Sequence, residues 1–160
     1  MPRVEALTAC GIALAVYVVA NPLLGRLSDR IGRRPLVLLS ALGLTTLSVP
    51  IFFALNSGMF AVVLLGLIVL GVLVAMAAVM NVVLLVEVFP ASIRSTGSAL
   101  GYNVALALLA GPGPLVAASL IKATGNNVAP AFYLAGISLA ALIVLWIMLP
   151  ETKNKDISEG

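Results

Sequence analysis

The chain has 160 residues, 62% of them hydrophobic and 9% charged, with a mean hydropathy of +1.19 and a formal net charge of +3. Soluble domains carry about 25% charged residues, so this chain lacks the polar surface to cover a globule and reads as an all-α integral membrane protein. A single cysteine, Cys10, and the absence of histidine leave no disulfide framework and no His/Cys metal site, and the positive charge, confined to short polar segments, reports topology and not nucleic-acid binding.

In chain order, residues 6–24 carry no charge and suffice for one span of roughly 20 residues. The opening, Arg3 followed by an apolar run and Val18-Val19-Ala20, imitates a signal peptide, but it leads directly into a basic segment and so suits a membrane hairpin better than a cleavage site. That segment, 25–35, reads Gly-Arg-Leu-Ser-Asp-Arg-Ile-Gly-Arg-Arg-Pro and holds Arg26, Arg30, Arg33 and Arg34. Its glycines and Pro35 suggest a short loop and a fresh helix start, and Asp29 among the arginines can accept from a neighbour.

The chain is uncharged from Pro35 to Val86, too long for one span, and Asn56-Ser57-Gly58 divides it into spans at 36–55 and 59–86. The second, at 1.5 Å per residue, is about 42 Å long against a hydrocarbon core of ~30 Å, so it tilts or projects. A polar connector, 87–94, a further span, 95–121, a loop with Gly125-Asn126-Asn127, a last span, 131–149, and a polar tail, 150–160, complete the chain.

Five spans put the termini on opposite sides. The face with segments 25–35, 87–94 and the tail carries Arg26, Arg30, Arg33, Arg34, Arg94, Lys153 and Lys155; the other carries Arg3 and Lys122. Positive charge is retained in the cytoplasm, so the first face, including the C-terminus, is expected there.

Irregular places stand out within the spans. Gly111-Pro112-Gly113-Pro114 lies inside the fourth, where two prolines remove backbone donors. It reads either as a packing kink or as a hinge where broken helix lines a cavity. Gly97-x-x-x-Gly101 suggests close helix packing or self-association, Pro50 a bend, and Met76 with Met80 plain packing. Polar side chains in lipid need partners or a function, which makes Tyr17, Asn21, Asn81, Tyr102 and Asn103 the candidate substrate-cavity residues. Asp29, Arg33, Arg34, Glu87 and Arg94 share one membrane face and opposite charge. They form either solvated loop charge or an ionic latch that closes when the inner helix ends converge. An enzyme is not expected, because no nucleophile–base pair or metal cluster is evident.

Three motifs carry a resemblance. The stretch Gly25-x-Leu27-Ser28-Asp29-Arg30-x-Gly32-Arg33-Arg34-Pro35 resembles the loop motif of the major facilitator superfamily. Glu87-x-Phe89-Pro90-x-x-x-Arg94-x-x-Gly97 resembles its connector after helix ten, and Pro150-Glu151-Thr152-Lys153 is similar to the tail motif of sugar-porter-like members. The match implies helices eight to twelve of the C-terminal six-helix half, with Gly25, Gly32 and Gly97 as motif glycines. It also implies that the first, third and fourth spans face the cavity.

The segment from Gly101-Tyr102-Asn103 through Gly111–Pro114 to Tyr133-Leu134 looks like the metabolite:proton symporter branch, which includes carriers of proline/betaine, α-ketoglutarate, citrate and shikimate. The resemblance therefore implies proton-coupled symport of a small organic acid or zwitterion by alternating access, with protons as the coupling ion and no cofactor. It implies a bacterial inner-membrane setting and an N-terminal half of the same transporter as partner. A non-transporting membrane subunit and a sugar-porter-like carrier are the alternative readings.

Overall fold

The computed structural model describes residues 2–87 and 93–148. All regular structure among them is helical: α1 (Arg3–Ile31), α2 (Arg33–Leu55), α3 (Phe60–Glu87), α4 (Arg94–Ala105), a π-turn (Leu106–Ala110), α5 (Gly113–Thr124) and α6 (Ala129–Met148). Taking α4, the π-turn and α5 as one interrupted span, five segments are long and apolar enough to cross a membrane. The connector at 88–92 and the tail from 149 lie outside the described residues.

The basic segment is not a loop. α1 continues through Gly25, Arg26 and Arg30 to Ile31, and α2 begins at Arg33, so the reversal rests on Gly32 alone. Charge marks where the chain leaves the membrane, but Arg26, Leu27 and Arg30 are good helix formers, and leaving lipid is not leaving the helix. Gly32 takes φ 105° and ψ 161°, backbone that is essentially restricted to glycine. Its N–H donates to the Ser28 carbonyl at 2.9 Å, closing α1. Pro35 falls in the first turn of α2, where its missing N–H is no loss.

α3 is the helix on which the bundle is assembled. α1 and α2 pack against it, α6 packs against α2, and α5 against α6. Lipid tails are as apolar as leucine, so these contacts depend on close packing and not on escape from water. Small residues permit it: Ala9, Ala13 and Ala75 are buried in the first and third spans. A Cβ on Gly43 would lie 2.5 Å from Leu73 Cδ2, so glycine there lets α2 approach α3. The core cluster is Leu36, Val37, Met76 and Met80, with Leu24 and Leu145 packed on it, so the methionine pair is packing as expected.

The fourth span, expected at 95–121 with a kink or hinge at Gly111–Pro114, is interrupted there. It runs to Thr124, and none of the described residues in its most apolar stretch is buried. Pro112 and Pro114 cannot donate to the preceding turn, and their rings crowd it. The chain answers with a π-turn, in which the Gly111 N–H reaches back five residues to the Leu106 carbonyl at 2.7 Å. Glycine suits that position because a Cβ would sit 3.3 Å from the Ala107 carbonyl oxygen. Gly101 meets no neighbour within 4 Å among the described residues, so the close approach expected of Gly97-x-x-x-Gly101 is not made there. Gly125 ends α5 in left-handed conformation, with its N–H on the Ile121 carbonyl at 2.8 Å.

Candidate functional site

One end of the bundle gathers the basic segment, the last turn of α3, the first turn of α4 and the last turn of α6. Arg33 Nη2 lies 3.1 Å from Asp29 Oδ1, a pair that straddles Gly32 and ties the end of α1 to the start of α2. Asp29 is 70% exposed and Arg33 17%, so water screens the carboxylate and the pair is worth no more than the ~0–1 kcal/mol of a surface ion pair. Arg33 Nη1 also donates to the Ser28 carbonyl at 3.4 Å. Ser28 itself is buried, its hydroxyl directed at Met80 Sδ at 3.5 Å, so the motif's serine seats α1 on α3.

Arg34 turns away from Asp29. Its Nη2 donates to the Trp146 carbonyl at 3.1 Å, which ties the start of α2 to the end of α6. Of the five residues proposed for a latch, Asp29 and Arg33 thus meet and Arg34 sits over α6. The side chains of Glu87 and Arg94 lie outside the described residues.

The candidate cavity residues fall in three places. Tyr17 is half-buried and lines a groove of about 470 Å³ between α1 and α3, together with Cys10, Ala13, Leu70 and Gly71. Asn21, one turn on, donates its Nδ2 to the Tyr17 carbonyl at 2.7 Å. Asn103 does the same to the Ala99 carbonyl at 2.7 Å. Both amides are therefore served by their own helix, which explains how they are tolerated in lipid. Tyr102 stands exposed on α4 beside Asn103. Asn81 is separate: it lines a second groove, of about 350 Å³, between α2, α3 and α6, opposite Ser40 and Ser138. That second groove was not legible from the sequence, because serines in apolar helices such as Ser40 and Ser138 are indistinguishable from packing residues until the helices are placed.

The family model described as Major Facilitator Superfamily matches residues 3–160. The chain belongs to the major facilitator superfamily. Among curated proteins it is 35% identical over 137 residues to the proline/betaine transporter of Escherichia coli K12, covering 86% of this chain and 27% of that one. It is also 35% identical over 137 residues to the glycine betaine/proline/ectoine/pipecolic acid transporter of Dickeya dadantii, with the same coverage. A putative proline/betaine transporter of Staphylococcus haemolyticus is 31% identical over 158 residues, 97% of this chain and 34% of that one. This major facilitator chain thus falls in the proline/betaine branch and spans about a quarter to a third of the length of these relatives. No solved structure matches it.

Proposed function

We propose that this chain forms part of a bacterial inner-membrane secondary transporter that moves a small zwitterion of the proline or glycine betaine kind by alternating access, driven by protons. The observation that carries the reading is the fourth span. A helix broken at mid-length by a π-turn and two prolines fits a place where helix lines a pathway and changes shape. The names of the relatives supply the substrate class.

The chemistry of the grooves agrees with such a substrate. Aromatic faces attract a quaternary ammonium by cation–π interaction, and Tyr17 stands at an otherwise apolar groove while Tyr102 stands on the broken span. The ionic set at the basic end, Asp29 and Arg33 with Arg34, Glu87 and Arg94, acts in this reading as the cytoplasmic latch. An N-terminal half of the transporter supplies the opposing face of the cavity.

Cys10 makes the reading testable. It is the chain's single cysteine, it is exposed, and it lines the groove with Tyr17. In the complete carrier, glycine betaine and proline should slow its alkylation by a maleimide, and glucose should not. Protection by glucose alone would favour the sugar-porter reading. Equal labelling with and without every solute would remove Tyr17 and its groove from the pathway.

A further inference from the structure

The break in the fourth span is short of backbone donors. Pro112 and Pro114 have no N–H, so the Leu108 and Ala110 carbonyls lose the partners that a regular helix supplies four residues on. The Gly111 N–H is spent on the Leu106 carbonyl at 2.7 Å, and the Val116 N–H on the Pro112 carbonyl at 2.9 Å. That leaves the N–H groups of Gly113 and Leu115 for the five carbonyls from Ala107 to Gly111, so at least three of these lack a donor from their own span. The side chains of 106–115 are leucine, alanine, glycine and proline, and none can donate.

These carbonyls lie near the middle of the span Ser95–Thr124, and Ala107, Leu108 and Gly111 are exposed. Hydrocarbon offers a free carbonyl no partner, so irregular backbone at that depth is tolerated only where it is buried in protein or faces a wet cavity. The same groups form the negative pole of the half-helix α4, which ends at the π-turn. The break therefore presents several acceptors of partial negative charge with neither a donor nor an ionisable side chain among them.

We propose that the free backbone carbonyls among Ala107–Gly111 cradle an ammonium group that carries N–H donors, the secondary ammonium of proline and not the quaternary ammonium of glycine betaine. The ligand class rests on the transporter reading and on the names of the relatives; the shortage of donors does not. Aromatic faces such as Tyr17 and Tyr102, the latter one turn before the π-turn, attract either cation by charge. The carbonyls add hydrogen bonds, which proline can make with two N–H groups and glycine betaine with none.

Pro112→Ala gives the Leu108 carbonyl a donor of its own, and Pro114→Ala does the same for Ala110. Gly111→Ala adds no donor but sets a Cβ 3.3 Å from the Ala107 carbonyl oxygen, which crowds the cradle from another side. A hydrogen bond to a charged group is worth about tenfold or more in affinity.

The experiment measures binding of proline, N,N-dimethylproline and glycine betaine to the purified complete carrier by calorimetry, with uptake followed in parallel. In the double proline variant the dissociation constant for proline should rise about tenfold or more, and those for the two quaternary solutes by less than about threefold. Gly111→Ala should weaken proline selectively as well. In the unaltered carrier proline should bind more tightly than N,N-dimethylproline, which differs from it only at the nitrogen, so the cradle stays testable where a variant fails to reach the membrane. Equal losses for all three solutes, no loss, or the reverse order in the unaltered carrier would overturn the cradle. A sodium requirement that the double proline variant abolishes for every solute would give these carbonyls to a metal cation and overturn it too. Selective loss of proline binding without uptake of any solute keeps the cradle and sinks the transporter. Uptake with unselective variants sinks the cradle and leaves the transporter.

Discussion

Gly25 and Gly32 occupy equivalent-looking places in the basic motif, yet the structure assigns them opposite responses to alanine. Gly32 is buried and is the whole connection between α1 and α2, at φ 105° and ψ 161°. A side chain in that region costs of order 1–3 kcal/mol. Relaxing the strain would pull the Gly32 N–H from the Ser28 carbonyl and disturb the Asp29–Arg33 pair that spans the turn. Gly25 lies inside α1, and a Cβ there meets nothing within 4 Å. Glycine in a helix interior is roughly 0.5–1 kcal/mol worse than alanine, so Gly25→Ala should stabilise by about that amount. Gly32→Ala should destabilise by about 1–3 kcal/mol. Reversible unfolding in mixed micelles, followed by helical circular dichroism, reads both. Effects of equal sign and size would refute the claim that Gly32 alone makes the turn.

The latch predicts that Glu87→Ala in the complete carrier raises labelling of a cysteine placed at Tyr17, and that Glu87→Arg with Arg34→Glu recovers part of the lost transport. Removing one partner of a partly buried pair costs more than the pair itself contributes, so additive losses with unchanged labelling would reduce the set to solvated charge. The seven-to-two division of Lys and Arg between the two faces predicts that a reporter fused after Gly160 is cytoplasmic and one inserted at Asn126 is external. An external C-terminus contradicts the five-span topology.

Number and position of the spans were legible in the sequence because lipid demands long uncharged helices, and 36–55 and 59–86 differ from α2 and α3 by no more than a few residues. What the sequence hid is where helix ends. Charges at Arg26 and Arg30 looked like a loop, yet the helix runs through them and turns on a single glycine. The break at Gly111–Pro114 was visible, since proline's missing donor is a local fact. Its form as a π-turn was not, because that depends on which carbonyl the Gly111 N–H finds. Among the candidate polar residues, Asn21 and Asn103 gave no sign that their amides are spent on their own helices, and Asn81 joins a different groove from Tyr17 because α3 presents both.

Uptake of labelled glycine betaine and proline tests the central claim most directly. The complete carrier containing this chain is produced in cells that lack their own carriers for these solutes, and uptake is followed at acidic and neutral external pH, with and without a proton ionophore. Saturable uptake that rises with external acidity and collapses with the ionophore is the expected result. No uptake above background at either pH, with the protein shown to be in the membrane, would contradict the account.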